Sequence, residues 1–155
     1  MRIKTYDVEL EHDSKHPILV KENSMNYPKA QSLCNPSIIA DMLNVIFHAN
    51  RKAEEYMWLI GIDTKNHPLG LFEFSHGTVN SSLFSPREIF IRLLLCGATN
   101  FVVAHNHPSG DSTPSQCDCE GTERLKQAAD LLNIKLLDHI IVADSYFSFA
   151  ENQLL

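Results

Sequence analysis

The feature that most constrains this chain is a short run in its second half. Phe101-Val102-Val103-Ala104 is apolar and strand-like and runs into His105-Asn106-His107. The turn-rich segment Pro108-Ser109-Gly110-Asp111-Ser112-Thr113-Pro114 follows, and Ser115-Gln116-Cys117-Asp118 then opens a helix. Two residues apart on extended chain, His105 and His107 point to the same side. Two prolines and a glycine make the loop reverse with little freedom. Ser115 has the character of a helix N-cap, and Asp118, three residues on, shares its face of the first turn. Two imidazoles and a carboxylate gathered in this way suit a divalent metal. With three protein ligands, zinc keeps a fourth position for water, which is the catalytic arrangement rather than the structural one. Each part also has a plainer reading. A His-x-His pair alone is more often hydrogen-bonded or solvated, and Ser115-x-x-Asp118 is a capping box with aspartate in place of glutamate or glutamine. One Asp118 oxygen cannot serve a metal and a backbone amide at once, so ligation and capping compete. Strand, loop and helix taken together favour the metal.

The rest of the chain supplies a frame for that run. Residues 1 to 25 alternate polar and apolar side chains (Ile3, Tyr6, Val8, Leu10, then Ile18, Leu19, Val20), as a pair of edge strands does. Asn35-Pro36 starts a helix whose apolar positions Ile38, Ile39, Met42, Leu43, Ile46 and Phe47 share one face. Glu54 to Asp63 reads as a central strand, apolar on both faces. A glutamate opening such a strand is unusual, and a carboxylate in solvent at the strand end is its ordinary explanation. Asp63 to Pro68 is a turn, with His67 a solvated turn residue, and Leu69 to Phe74 returns as a strand. Ser85-Pro86-Arg87-Glu88 starts a second helix that carries Ile89, Phe90, Leu93 and Leu94 inward and ends near Gly97. The longest helix spans Ser115 to about Asn133. Lys135 to Val142 is a buried strand interrupted by Asp138 and His139, and Tyr146 to Ala150 a short last one. The order is two strands, helix, two strands, helix, strand, metal loop, helix, two strands. That predicts a mixed sheet in an α+β fold (α/β in some schemes), with 1–155 as a single domain.

Composition bears on partners. The formal net charge of -6 comes without any Lys/Arg cluster, so nothing advertises a nucleic-acid surface. No apolar run follows the basic residues of the N-terminus, and no stretch approaches membrane-spanning length. A cytoplasmic protein without a membrane partner is expected. Cys34, Cys96, Cys117 and Cys119 make no disulfide framework in a chain of this size. Cys117 and Cys119 flank Asp118 and are expected to point off its helical face, as non-ligands.

His105-x-His107, seven residues, then Ser115-x-x-Asp118 resembles the motif of the JAMM (JAB/MPN) zinc metalloproteases. The wording His105-Asn106-His107-Pro108-Ser109-Gly110-Asp111 is closest to the RadC branch of that family. So are Gly77-Thr78-Val79-Asn80-Ser81-Ser82, Pro86-Arg87-Glu88-Ile89-Phe90 and Leu137-Asp138-His139-Ile140-Ile141. The similarity covers roughly residues 30 to 155. It implies a curved mixed sheet flanked by helices, with cytidine-deaminase-like layering and the metal at the sheet edge near a helix N-terminus. Full-length RadC proteins carry a further N-terminal helix-hairpin-helix region, which is not read in these residues.

The resemblance also implies roles. His105, His107 and Asp118 would hold one Zn2+ per chain. Ser115 would donate a hydrogen bond to a developing oxyanion. The catalytic base would be the glutamate eight residues before Asp63 of Asp63-Thr64-Lys65-Asn66, which selects Glu55 over Glu54. Ser81 and Ser82 fall in a polar loop, near the site in the RadC pattern, that either contacts substrate or is an ordinary connection; His139 either has only a satisfied hydrogen bond or orients a ligand imidazole. The implied activity is zinc-dependent hydrolysis of an amide or isopeptide bond in a peptide or protein substrate. Two other readings stay open: a metal-dependent DNA-repair or nucleic-acid-processing factor, and a non-catalytic MPN scaffold.

Overall fold

The computed structural model describes residues 1–33, 35–75 and 85–155. Seven strands form one mixed sheet: β1 (Arg2–Leu10), β2 (Pro17–Asn26), β3 (Tyr56–Ile62), β4 (Pro68–Ser75), β5 (Asn100–Asn106), β6 (Lys135–Val142) and β7 (Tyr146–Ser148). Their spatial order is β2-β1-β4-β3-β5-β6-β7. The pairs β1–β4 and β5–β6 are parallel and the others antiparallel. The fold is therefore α+β with a mixed sheet, in the element order the sequence predicts, with one added 3-10 turn at Ala49–Arg51.

Three helices cover the sheet in two layers. On one face, α1 (Pro36–Phe47) packs Ile39, Met42 and Leu43 against Trp58, Ile60, Val102 and Ile140. On the other, α2 (Pro86–Cys96) and α3 (Gln116–Leu132) pack Ile89, Leu93, Leu125 and Ala129 against Met57, Leu59, Phe101 and Val103. The two clusters take alternate residues of β3 and β5, as the period of two along a strand requires. β3 is flanked by β4 and β5, and its residues from Met57 to Ile62 are all buried. Where α2 crosses it, Gly61 leaves no room for a side chain: a Cβ there would lie 2.7 Å from Cys96 Sγ and 3.2 Å from Ala98 Cβ.

Several local expectations are corrected. β3 begins at Tyr56, so Glu54 and Glu55 precede the strand instead of opening it. Asn106 explains the boundary, since its side chain takes the Tyr56 amide (2.7 Å) in place of a ladder partner. Ser85 sits at the N-cap of α2 but makes no side-chain cap. Leu94 is exposed; one residue past Leu93 it is turned about 100° away from the inward stripe. His67 is not merely solvated, because its Nδ1 pairs with Asp63 Oδ2 (3.1 Å). The last strand stops at Ser148.

Candidate metal centre

The site is built where β5 ends, its loop turns and α3 begins. Residues 101, 103 and 105 of β5 face the α2/α3 side of the sheet, so His105 emerges at the end of an apolar row, fully buried. The loop is fixed to the neighbouring strand. His107 N donates to Val142 O (3.0 Å), Gly110 N to His107 O (3.1 Å) and Asp144 N to Gly110 O (3.3 Å). Gly110 takes a left-handed φ of 84° there, with Asp144 Oδ2 3.0 Å from where a Cβ would stand.

Ser115 caps α3 in a reciprocal box. Its Oγ accepts from Asp118 N (3.2 Å), while its own N–H and hydroxyl both donate to Asp118 Oδ2 (2.7 Å each). Asp118 Oδ1 instead faces His105 Nε2 at 3.2 Å. The cap thus uses one oxygen of the carboxylate and leaves Oδ1 available to a metal, so the two readings need not compete. The first turn of α3 also favours the negative charge.

The hydrogen-bond network assigns the protons on both rings. Thr122 Oγ1 donates to Asp118 O (2.6 Å), a carbonyl that can only accept, so at its second contact it must accept from His139 Nδ1 (2.6 Å). His139 then carries its hydrogen on Nδ1 and accepts at Nε2 from His105 Nδ1 (2.8 Å). In a neutral ring that leaves the His105 Nε2 lone pair facing Asp118. His107 Nδ1 donates to Asp111 O (2.7 Å), which leaves its Nε2 in the same state, 2.9 Å from His105 Nε2 and 3.5 Å from Asp118 Oδ2. With both rings neutral, two ring nitrogens and a carboxylate oxygen present lone pairs to one small space, which a proton on a ring nitrogen or a bound cation would satisfy. Ligands of a tetrahedral ion with bonds of about 2.0–2.2 Å stand roughly 3.3–3.5 Å apart. The 3.2 Å between His105 Nε2 and Asp118 Oδ1 is close to that range, while the 2.9 Å between the two Nε2 atoms is shorter, so the rings would move slightly apart around an ion.

Electrostatics agree with the geometry. Burial works against the Asp118 charge, but hydrogen bonds from His105 and His107 outweigh it and hold the carboxyl far below its usual range. The hydrogen bond to Asp118 raises the His107 pKa against the effect of burial, with Glu55 adding to the pull. Burial, then the charge of His105, pushes the His139 pKa well below the ordinary imidazole value. The His139 ring is further pinned by stacking on Phe149, with centroids 4.5 Å apart.

The structure brings together His105, His107, Asp118, Ser115 and His139. Among the described residues these first three form the metal-capable cluster, and the exposed Cys117 and Cys119 stand outside it. Glu55, just ahead of β3, lies close enough to His107 for its charge to act on that ring, while Glu54 is exposed. Ser81 and Ser82 lie outside the described residues. Thr122 was not singled out by the sequence, although its place four residues after Asp118 on the same helical face was a usable signal.

A mixed sheet that delivers two histidines and a helix-capping aspartate to one point defines a class of metal-capable α+β domain. Residues 33–154 match the model of the RadC-like JAB domain. A UPF0758 protein of Geotalea uraniireducens is 37% identical over 130 residues, covering 83% of this chain and 56% of its own length. One of Clostridium perfringens is 40% identical over 124 residues (79% and 54%), and one of Desulforudis audaxviator 44% over 94 residues (61% and 41%). The chain belongs to the RadC-like JAB domain family. It spans about half the length of these curated relatives.

Proposed function

We propose that this domain is a zinc-dependent hydrolase of amide or isopeptide bonds in a peptide or protein substrate. The observation that carries the reading is the convergence of His105 Nε2, His107 Nε2 and Asp118 Oδ1 on one point, close to Glu55, whose charge acts on His107. His105, His107 and Asp118 would hold the ion, His139 and the Asp111 carbonyl fixing the two rings through their Nδ1 hydrogens. A zinc ion bound there supplies Lewis acidity, lowering the pKa of water and polarising a carbonyl. Glu55 accepts the proton of the attacking water on its carboxylate and returns it to the leaving amine. Ser115 can turn its hydroxyl from Asp118 Oδ2 to a developing oxyanion, because its backbone amide keeps that oxygen bound meanwhile.

The test is a panel of amide and isopeptide substrates with zinc-loaded protein. Zinc-dependent cleavage is expected, with Glu55→Gln keeping its metal and losing roughly 100- to 10,000-fold in kcat, the range for a general base. Cleavage undiminished in Glu55→Gln would remove Glu55 from the mechanism.

A further inference from the structure

Asn106 lies between the two histidines on β5 and, by strand alternation, its side chain leaves the opposite face of the sheet. It is 1% exposed, and its side-chain hydrogen bonds run to β3's entry and not to the metal cluster. Both ends of its amide are engaged. Oδ1 accepts from Tyr56 N at 2.7 Å, and Nδ2 donates to Glu54 O at 3.0 Å. These partners are the residues on either side of Glu55. The backbone ladder between β3 and β5 has its last pair at Met57 and His105. Past that pair the Asn106 amide takes over, and Glu55 is held between its two hydrogen bonds.

We infer that Asn106 is a positioning residue for Glu55, clamping both flanking peptides so that the carboxylate is presented to the metal cluster; this rests on the reading of Glu55 given above. The chemistry of the clamp is specific to asparagine. It needs one donor and one acceptor on a rigid planar group at a fixed reach. Aspartate would lose the donor and set an oxygen against the Glu54 carbonyl, while serine is too short to span both groups. His105 and His107 are held by bonds that do not involve Asn106, since their Nδ1 atoms use His139 and Asp111. The same tripeptide therefore places ligands with its outer residues and the base with its middle one. The two functions are separable.

The test uses the cobalt(II)-loaded protein and 13C NMR of the Glu55 carboxylate, identified as the resonance missing from Glu55→Gln. In wild type the paramagnetic ion displaces that resonance. In Asn106→Ala the displacement is lost, while the paramagnetically shifted ring signals of His105 and His107 stay in place; a merely structural asparagine would not separate the two sets. Asn106→Ser, which keeps a polar atom in the space, gives the same loss and serves if the alanine variant does not fold. An undiminished Glu55 displacement in either folded variant overturns the inference and leaves the base assignment standing. A wild-type carboxylate with no displacement overturns the base assignment itself, and the inference with it.

Discussion

Thr122 joins two parts of the site through a single hydroxyl. It donates to the Asp118 carbonyl and accepts from His139, which in turn sets the tautomer of His105. Thr122→Val keeps the shape and leaves the buried His139 Nδ1–H without an acceptor. A stability loss of about 1–3 kcal/mol is expected in urea unfolding of the metal-free protein. Zinc affinity should fall roughly 10- to 100-fold by chelator competition, as for a lost support of a ligand imidazole. Unchanged affinity would mean that the His105 ring is oriented without this chain of bonds. His107 gives the pH dependence. Its folded pKa is raised, chiefly by the hydrogen bond to Asp118. In the metal-free protein this contribution to stability is whole below the ordinary imidazole value of about 6.5, and it is lost as pH rises through the folded value. The proton and the metal compete for Nε2, so zinc affinity should run the other way, weakening about tenfold per pH unit below that folded value. NMR titration of the ring and zinc binding measured across the same pH window check both signs.

At the scale of elements, β3 is the strand on which the site depends, because it pairs with β5 as far as His105 and follows directly on Glu55, the proposed base. Its contact with α2 is close at Gly61, where Cys96 Sγ fills the space of a side chain. Gly61→Ala should cost about 1–3 kcal/mol by overpacking. Combined with Cys96→Ala it should cost less than the sum of the two single changes, a coupling that a double-mutant cycle in urea detects. Additivity would place the strain at Ala98 instead. The elements were legible in the sequence where periodicity and caps agreed: Asn35-Pro36 before an amphipathic run, Ser115 and Asp118 three apart, a continuous apolar strand from Met57 to Ile62. The metal cluster was legible because its spacing is local, within 14 residues from His105 to Asp118. What escaped depends on contacts distant in sequence. Asn106 bonds residues 50 and 52 positions away, whereas His139, which meets His105 across 34, was already singled out beside the family resemblance. No window of sequence reports such pairs. Leu94 was misplaced for a related reason, since hydrophobicity alone does not say how wide a stripe the sheet will cover.

In the whole molecule, β5, α3 and β6 form a parallel crossover unit, and the candidate centre lies beyond the carboxyl end of β5 at the N-terminus of α3. Open sheets place ligands at such ends, where side chains leave the core and helix amides favour negative charge. Among the described residues no helix is long and apolar enough to cross a membrane. The sheet and α3 bury two histidines, an aspartate and a threonine around one point, a group that an apolar core of this size does not need for folding. A cation would hold β5 and α3 together there, so metal should stabilise the fold by mass action, about 2.7 kcal/mol at a free concentration 100 times Kd. The most direct measurement is zinc stoichiometry by elemental analysis of purified protein, with Glu55→Gln and His107→Ala beside the wild type. One zinc per chain in wild type and in Glu55→Gln, and none in His107→Ala, is the expected result. A wild type that takes up no zinc, or a His107→Ala protein that retains it through Cys117 and Cys119, would contradict it.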